Sequence, residues 1–255
     1  MPRETWLIFS RAMSLSLRNP AWIMIGLLQP VLYLVLFGPL LERMTESTPG
    51  FPPGTSWQIL TPALIIQLAL FGSSFVGFGL LAELRLGAFE RMRVTPVSRT
   101  ALLLGRVLRD AVQTVAQALL ILVLAFLMFD LRASVGAVAL TLLMVAMLSL
   151  ALSSCSYALA LRLKSEEAFP AILNTALLPI LLLSGIVIPI TQGLAPGWLY
   201  GISRWNPFTH VVDAERASFR GEFTTDALLT GSLVLFAMTA LSVLWGVRTF
   251  SRESA

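Results

Sequence analysis

Residues Glu83 to Arg99 read ELRLGAFERMRVTPVSR, a charged stretch between two long apolar segments. Six of its seventeen residues are charged. Six such side chains at the centre of a bilayer, at roughly 2.5–3.5 kcal/mol each, would cost more than ~15 kcal/mol. We therefore predict that this segment, called the hook below, lies in water while its flanks lie in lipid, and that it docks onto a soluble partner.

The composition around the hook is that of a polytopic membrane protein. Of 255 residues, 56% are hydrophobic and 13% are charged, whereas soluble domains carry about 25% charged residues. The net charge of +4 is spread over short loops, and no nucleic-acid-binding motif is present, which argues against a nucleic-acid partner. Cys155 is the only cysteine, so no disulfide can form within the chain; its apolar surroundings indicate a buried small side chain.

Apolar runs on both sides of the hook predict an all-α fold with six transmembrane helices. Each run is near the ~20 residues that cross ~30 Å of hydrocarbon. The six runs are Ala21 to Leu41, Ile59 to Ala82, Ala111 to Phe129, Ala133 to Leu161, Ala168 to about Ile190, and Ala227 to Val247. If both termini are cytoplasmic, thirteen cations lie in inner segments and five in outer ones, so the positive-inside rule places the hook in the cytoplasm.

Two segments outside these runs predict short helices within one permease domain that covers residues 1–255. In residues 1–20 the serine and arginine side chains separate by helical face from the aromatic and apolar ones, which favours an amphipathic helix on the inner membrane surface over a plain charged tail. Residues 191–226 contain Asn206-Pro207, a helix-start signal that predicts a helix from Pro207 to about Arg220. Tryptophan and tyrosine in this region favour a pair of short re-entrant helices in the outer leaflet.

Several chemistries lack the residues that they require. No G-x-x-x-x-G-K-[ST] motif is present and Lys164, the only lysine, follows no glycine-rich turn, so the chain cannot bind ATP as a P-loop protein does. His210 is the only histidine, which excludes an H-E-x-x-H zinc site and leaves one candidate base for a nucleophile such as Ser184. Proton- or sodium-driven transport uses acidic residues within the spans, and the only acidic residue near such a position is Asp110, at the inner edge of the third run.

Prolines and amides inside the runs leave two interpretations open. They can form a flexible, polar translocation path, or they can be ordinary kinks and interhelical hydrogen bonds of membrane helices. The residues concerned are Pro30, Pro62, Pro170, Pro179, Pro189, Gln29, Gln67, Gln113, Gln117 and Asn174.

The hook resembles the E-x-x-x-G-x-x-E…T-P-x-S-R signature that follows the second span of type-2 ABC exporter permeases. Here the signature runs from Glu83 through Gly87 to Glu90, and ends with Thr95-Pro96-Val97-Ser98-Arg99. The resemblance covers almost the whole chain, including an N-P-x…R element matched by Asn206, Pro207 and Arg216. The branch that the chain looks most like is that of daunorubicin-resistance drug export. Two departures, Ala88 in place of Thr and Met92 in place of Leu, remove no charge.

The resemblance implies roles for two groups of cytoplasmic residues. The coupling helix and its flanks, which would sit in a cleft of the ATPase, correspond to Glu83, Arg85, Gly87, Glu90, Arg91, Pro96 and Arg99. A second inner loop, with a smaller contact to the same ATPase, holds Arg162, Lys164, Glu166 and Glu167. On residue chemistry alone, anchoring of the hook at anionic lipid headgroups explains the charges equally well.

The function implied is export of a hydrophobic or amphipathic molecule across the bacterial plasma membrane. The chain would have no cofactor of its own, because two copies of a separate ATPase subunit would bind ATP and Mg²⁺, and a second permease copy would complete a homodimer. A polysaccharide or glycolipid exporter is the alternative within the family. A stand-alone channel, an ion-coupled transporter or an intramembrane enzyme that uses His210 are the alternatives outside it, and none of them accounts for the hook.

Overall fold

The computed structural model describes residues 2–18, 24, 28, 31–36, 39, 53–86, 98–129 and 131–252. Within these ranges every regular element is helical, as predicted. The helices considered below are α1 (Pro2–Arg18), α2 (Ser56–Ser74), α3 (Gly77–Arg85), α4 (Arg99–Met128), α5 (Val135–Leu163), α6 (Ala168–Leu183), α7 (Gly197–Ser203), α8 (Pro207–Phe219) and α9 (Asp226–Arg252).

Four of the described helical segments are long and apolar enough to cross a membrane. They are Ser56–Arg85, which joins α2 and α3, and the helices α4, α5 and α9. They contain the second, third, fourth and sixth predicted runs. Most of the first run, Ala21 to Leu41, lies outside the described residues, so the total of six spans stays a prediction. The end of the bundle that holds Arg85 and Arg99 is called the hook end below, and the opposite end is the far end.

Two helices differ in extent from the apolar runs that predict them. The third run begins at Ala111, but α4 already begins at Arg99, because Ser98 caps it and because Arg106, Arg109 and Asp110 are paired within the helix bundle. With 30 residues, α4 is about 45 Å long and exceeds the ~30 Å of hydrocarbon, so its charged first turns can remain outside lipid. The fifth run was expected to reach Ile190, but α6 ends at Leu183, where Gly185 takes a positive φ of 72°.

The break between α2 and α3 is repaired by one serine of α5. The Ser156 hydroxyl donates to the carbonyl oxygen of Ser74 at 2.5 Å and accepts from the backbone N–H of Gly77 at 2.9 Å. These are two of the backbone groups that a helix break leaves without partners. The chain can therefore bend at Phe75 and Val76 while its polar backbone stays paired.

Gly77 is required by close packing at this break. A Cβ atom there would lie 2.6 Å from Cζ of Phe169 and 2.8 Å from the carbonyl oxygen of Ser156, whereas Gly72 and Gly79 face open space. We expect Gly77→Ala to destabilise the fold by about 1–3 kcal/mol through overpacking. Gly72→Ala and Gly79→Ala, as matched controls, should stabilise their helices by roughly 0.5–1 kcal/mol. Thermal unfolding of the three purified variants measures the difference, and equal effects at all three positions would contradict the packing argument.

Helix α5 lies at the centre of the bundle and contacts α2, α3, α4, α6, α8 and α9. Its interface with α2 and α4 is a row of hydroxyl groups, called the hydroxyl seam below. Ser73 and Ser149 lie 2.7 Å apart, and Ser149 donates to Thr114 at 3.2 Å. Small hydroxyl side chains let helices approach closely and hydrogen-bond in a membrane.

The N-terminal segment is a helix, as predicted, and it packs along the first half of α4. Ser16 of α1 donates to Gln113, and at the other end a Cβ atom on Gly105 would lie 2.8 Å from Ile8. Trp6 remains 65% exposed on the opposite side of α1. The helix thus presents one side to α4 and an apolar, exposed side to the surroundings.

Short helices α7 and α8 lie at the far end of the bundle. Helix α8 begins with Asn206 as the N-cap and Pro207 in the first turn, and it ends at Phe219, so the prediction of a helix from Pro207 to about Arg220 is confirmed. It packs against α2, α5 and α9. At Gly231 of α9 a Cβ atom would lie only 2.3 Å from the carbonyl oxygen of His210, so the two helices are in backbone contact.

Candidate functional site

The base of the hook, which consists of Glu83 and Arg85 at the end of α3, is joined to α4 by an ion pair. Glu83, in the last turns of α3, accepts a hydrogen bond from the guanidinium of Arg106. The side chain of Arg106 is 11% exposed and that of Glu83 is 39% exposed, so the arginine is largely shielded from water while the carboxylate reaches the surface. A charged pair in such a place depends on both partners, because removal of one leaves the other without compensation.

A second ion pair joins the hook base to the second inner loop. Arg85 donates to Glu166 at 2.8 Å. Nearby, the guanidinium of Arg162 lies 5.4 Å from the ring centroid of Trp245 on α9, a cation–π contact. Lys164 ends α5 in the left-handed conformation with φ 51°. The loop predicted as a smaller ATPase contact is therefore fixed in place by α3, α5 and α9.

The structure brings some of the predicted coupling residues together and leaves others undescribed. Glu83 and Arg85 both lie in the last turn of α3 but face different partners, Arg106 and Glu166, and Arg99 opens α4. Glu167 lies at the N-cap of α6 without a side-chain capping bond. The remaining coupling residues, Gly87, Glu90, Arg91 and Pro96, lie outside the described residues, so their arrangement stays a prediction.

The C-terminal side of the hook, at Ser98, is joined to the N-terminal helix. Glu4 of α1 accepts a hydrogen bond from the backbone N–H of Ser98 at 3.2 Å, and this bond lowers the pKa of the Glu4 carboxyl group. Ser98 itself caps α4 by accepting from the backbone N–H of Ala101. The chain therefore enters the hook beside the Glu83–Arg106 ion pair. It leaves the hook at Ser98, the N-cap of α4, whose backbone N–H is bonded to Glu4 of α1.

Behind the hook base lies a buried polar cluster between α4 and α5. Tyr157 donates to Asp110 at 2.7 Å, and Arg109 lies 3.1 Å from the same carboxylate. Asp110 is 3% exposed. One turn along α4, Thr114 belongs to the hydroxyl seam and donates to the backbone carbonyl of Asp110 at 2.9 Å. Polar side chains thus follow α4 into the bundle, from Arg106, the partner of Glu83, through Asp110 to Thr114.

At the far end, three side chains of the N-P-x…R region form a second site, called the far-end clamp below. Asn206 donates to the carbonyl oxygen of Ile180 at 2.8 Å, and the Thr209 hydroxyl lies 3.0 Å from that of Leu183. Both carbonyls belong to the last turn of α6, where helical partners are missing. Asn206 also caps α8 by accepting from the backbone N–H of Phe208.

Arg216 completes the clamp by joining α2 to the end of α6. Its Nε donates to the carbonyl oxygen of Ile59 at 3.2 Å and its Nη2 donates to that of Gly185 at 2.9 Å. The side chain is buried, and burial lowers its pKa to about 10, so it stays a cation at neutral pH. Ile59 lies one turn before Pro62, the proline that interrupts the hydrogen bonding of α2.

Comparison with known proteins agrees with this arrangement. Residues 3–219 match the family described as ABC-2 type transporter. The chain belongs to the ABC-2 type transporter family. The ycf38 protein of Porphyra purpurea, named a transport permease, is 25% identical over 228 residues, which are 89% of this chain and 76% of that protein. The daunorubicin resistance ABC transporter permease protein DrrB1 of Streptomyces coeruleorubidus is 26% identical over 215 residues, 83% of this chain and 73% of that protein.

Membership of the ABC-2 family makes this chain the membrane subunit of an ABC transporter, of the kind that works with an ATPase subunit. The match covers the hook, the second inner loop and the far-end clamp. Resemblance of the hook to the type-2 permease signature, stated from sequence, is thereby confirmed at the level of the family.

Several contacts at the hook base, the far-end clamp and the hydroxyl seam are not predicted by the sequence. Arg106 precedes the predicted third run, which begins at Ala111, and nothing in the sequence indicates that it pairs with Glu83. Asn206 and Arg216 belong to a recognised motif, but their partners are backbone carbonyls of helices far along the chain. Every residue has such a carbonyl, so the residue types do not indicate which one is the partner. The hydroxyl seam has a weak signal, namely the serines and threonines spaced through otherwise apolar runs.

Proposed function

We propose that this chain is the permease of an ABC exporter that moves a hydrophobic or amphipathic molecule out across the bacterial plasma membrane. Two copies of the chain and two copies of a separate ATPase subunit form the working complex, with both termini and the hook in the cytoplasm. The ATPase subunits bind ATP and Mg²⁺. The positive-inside count supports this orientation, and the daunorubicin-resistance relative supports the substrate class.

The observation that carries the proposal is the double attachment of the hook base. Glu83 is bound to Arg106 of α4, and Arg85 is bound to Glu166 of the second inner loop. A force applied to the hook by a closing ATPase therefore reaches α4 directly and α5 through its loop. Since α4 and α5 also share the hydroxyl seam with α2, the spans receive the movement as a connected unit.

Helix α6 supports the proposal of a second permease copy. It makes few contacts with its own bundle, and only Phe169, Leu173 and Leu177 of it are buried. Its other faces expose Ile172, Leu178 and the amide of Asn174. An amide in hydrocarbon needs a hydrogen-bond partner. We assign this surface to the second copy, with the substrate path between the two permeases.

Co-purification with an ATPase tests the proposal. We expect the tagged chain in mild detergent to recover a P-loop ATPase, and Arg85→Ala combined with Glu90→Ala to lower the stimulated ATPase rate by ~5–150-fold, the usual range of coupling between sites. Arg85 is 78% exposed, so loss of its ion pair should cost only about 0–1 kcal/mol of stability and leave the amount of permease in the membrane unchanged.

Arg252→Ala is the matched control, because Arg252 is exposed at the same end of the bundle but lies at the end of α9. Its ATPase rate should equal that of the unmodified complex. Transport in ATP-free vesicles by the permease alone would refute the exporter proposal and favour a channel or an ion-coupled transporter.

A further inference from the structure

Glu215 is a charged-type side chain of α8 that is buried outside the far-end clamp. It is 0% exposed, and neither carboxyl oxygen has a hydrogen-bond partner within the described part of the chain. Its neighbour Arg216 donates instead to the carbonyls of Ile59 and Gly185. An ionised carboxylate taken out of water without a partner costs several kcal/mol, which is a large part of the stability of a typical domain.

Packing leaves Glu215 no route to water while α8 is in place. Helix α8 contacts α2, α5 and α9, and its backbone touches α9 at Gly231. Because Arg216 donates to the carbonyl oxygen of Ile59, this part of α8 lies beside the beginning of α2. Two other buried oxygens without partners, the hydroxyls of Thr61 in α2 and Thr141 in α5, belong to the far-end turns of these same packed helices.

The charged groups on the surrounding elements do not neutralise Glu215. Helix α2 carries no charged residue, and α5 carries its only one, Arg162, at the hook end. On α9, Asp226 lies at the far end and the two arginines lie at the hook end. The remaining groups near this end have other partners: Asp213 is paired with Arg204, Arg220 with Glu222, Arg132 has an interaction of its own, and His210 lies 3.0 Å from the carbonyl of Arg204.

We propose that Glu215 is a proton-binding site of the far-end clamp: the carboxyl group holds a proton while α8 is packed against α2, α5 and α9, and releases it to the solvent when α8 moves away. A proton binds to the Glu215 carboxylate without needing a cavity beside it, and it neutralises the negative charge. Burial raises the pKa of Glu215, in agreement with this assignment. Acid on that side of the membrane therefore favours the closed clamp. The site acts without the ATPase, so it can be tested on the permease alone.

Infrared spectroscopy of the full-length chain in lipid vesicles tests the protonation state directly. At pH 7 we expect a carbonyl stretch of a neutral carboxylic acid that disappears in Glu215→Gln. Glu222→Gln is the matched control, because Glu222 lies at the same end, is paired with Arg220 through two bonds, and has its pKa lowered by them, so that it is ionised at pH 7. A spectrum in which Glu215→Gln removes no such band would overturn the proposal.

Thermal unfolding against pH gives the second measurement. Because the folded pKa of Glu215 lies above the unfolded one, its contribution is complete below the unfolded pKa and is lost as the pH rises towards the folded pKa. The midpoint temperature of Glu215→Gln, minus that of the unmodified chain, should therefore grow by roughly 3–5 °C per pH unit between these two values. A difference that stays constant with pH would contradict proton binding.

Two further results decide between a proton and another occupant. If sodium chloride raises the midpoint temperature of the unmodified chain above that in choline chloride, and Glu215→Gln abolishes this rise, the site binds a metal cation and the proposal is wrong. Glu215→Leu is the second neutral variant and should fold at pH 8. If both neutral variants fail to fold while Glu222→Gln folds, an ionised Glu215 is required, which also overturns the proposal.

Discussion

Replacing Arg216 with alanine should lower the stability of the fold and the amount of folded, transport-competent protein. The change removes two buried hydrogen bonds from a charged donor, those to the carbonyls of Ile59 and Gly185. At about 1.5–3 kcal/mol for each hydrogen bond to a charged group, the expected loss is roughly 3–6 kcal/mol. Since natural domains are stable by only about 5–15 kcal/mol, this is enough to lower both the membrane level and the unfolding temperature.

Two variants at neighbouring arginines separate the clamp from charge in general. Arg216→Lys keeps the cation but replaces a planar fork, whose Nε and Nη2 reach two separate carbonyls, by a point-like ammonium, so we expect an intermediate loss. Arg220→Ala breaks a pair with the half-exposed Glu222 and should change stability by less than about 1 kcal/mol. Equal behaviour of Arg216→Ala and Arg220→Ala in detergent unfolding would show that the clamp does not hold α2 and α6 together.

Exchanging the charges of Glu83 and Arg106 should restore the coupling that either single reversal destroys. Glu83→Lys places two cations at the hook base, and Arg106→Glu places two acids there, next to a side chain that is mostly buried. Loss of one partner of a desolvated charge pair costs about 2–5 kcal/mol. We therefore expect each single variant to lose ATP-driven transport more than tenfold, or ~1.4 kcal/mol, and the double variant to regain most of it.

The Arg204–Asp213 pair offers a matched exchange at the opposite end. It is an ion pair with a distance of 2.7 Å between side chains that are 37% and 33% exposed, and it lies at the far end of the bundle, away from Glu83 and Arg106. Reversal of either charge there should leave ATPase stimulation unchanged. If the double exchange at Glu83 and Arg106 is no better than the single variants, the two residues act separately and the ion pair does not transmit movement.

The fold was predictable from sequence wherever one strong local signal governed the structure. Apolar runs of spanning length gave four of the helices, and Asn206-Pro207 gave the start of α8, because a capping side chain followed by proline acts within a single turn. The hook was recognised for the same reason, since dense charge beside apolar runs can lie only in water. These features need no knowledge of distant contacts.

What the sequence could not supply depends on partners far along the chain. Arg106 looks like a loop cation until Glu83, on another helix, is seen to accept its hydrogen bond. The end of α6 at Leu183 was placed too late because the apolar run continues past Gly185, while the backbone turns there with its carbonyls held by α8. Glu215 is, by sequence, one of several polar residues in the predicted helix from Pro207 to about Arg220, and only the packing of α8 against α2, α5 and α9 reveals its burial.

The hydroxyl seam has a mechanical consequence for a protein whose helices must change their tilt. Each hydroxyl of Ser73, Thr114 and Ser149 can both donate and accept, and the three oxygens lie within 2.7 to 3.4 Å of one another. When α2 slides against α4 and α5 by a fraction of a turn, such groups exchange partners, and no buried polar atom has to lose all of its bonds. Interlocked leucines would instead have to separate before they could repack. The seam therefore keeps the three helices hydrogen-bonded to one another, and moving together, while their relative tilt changes.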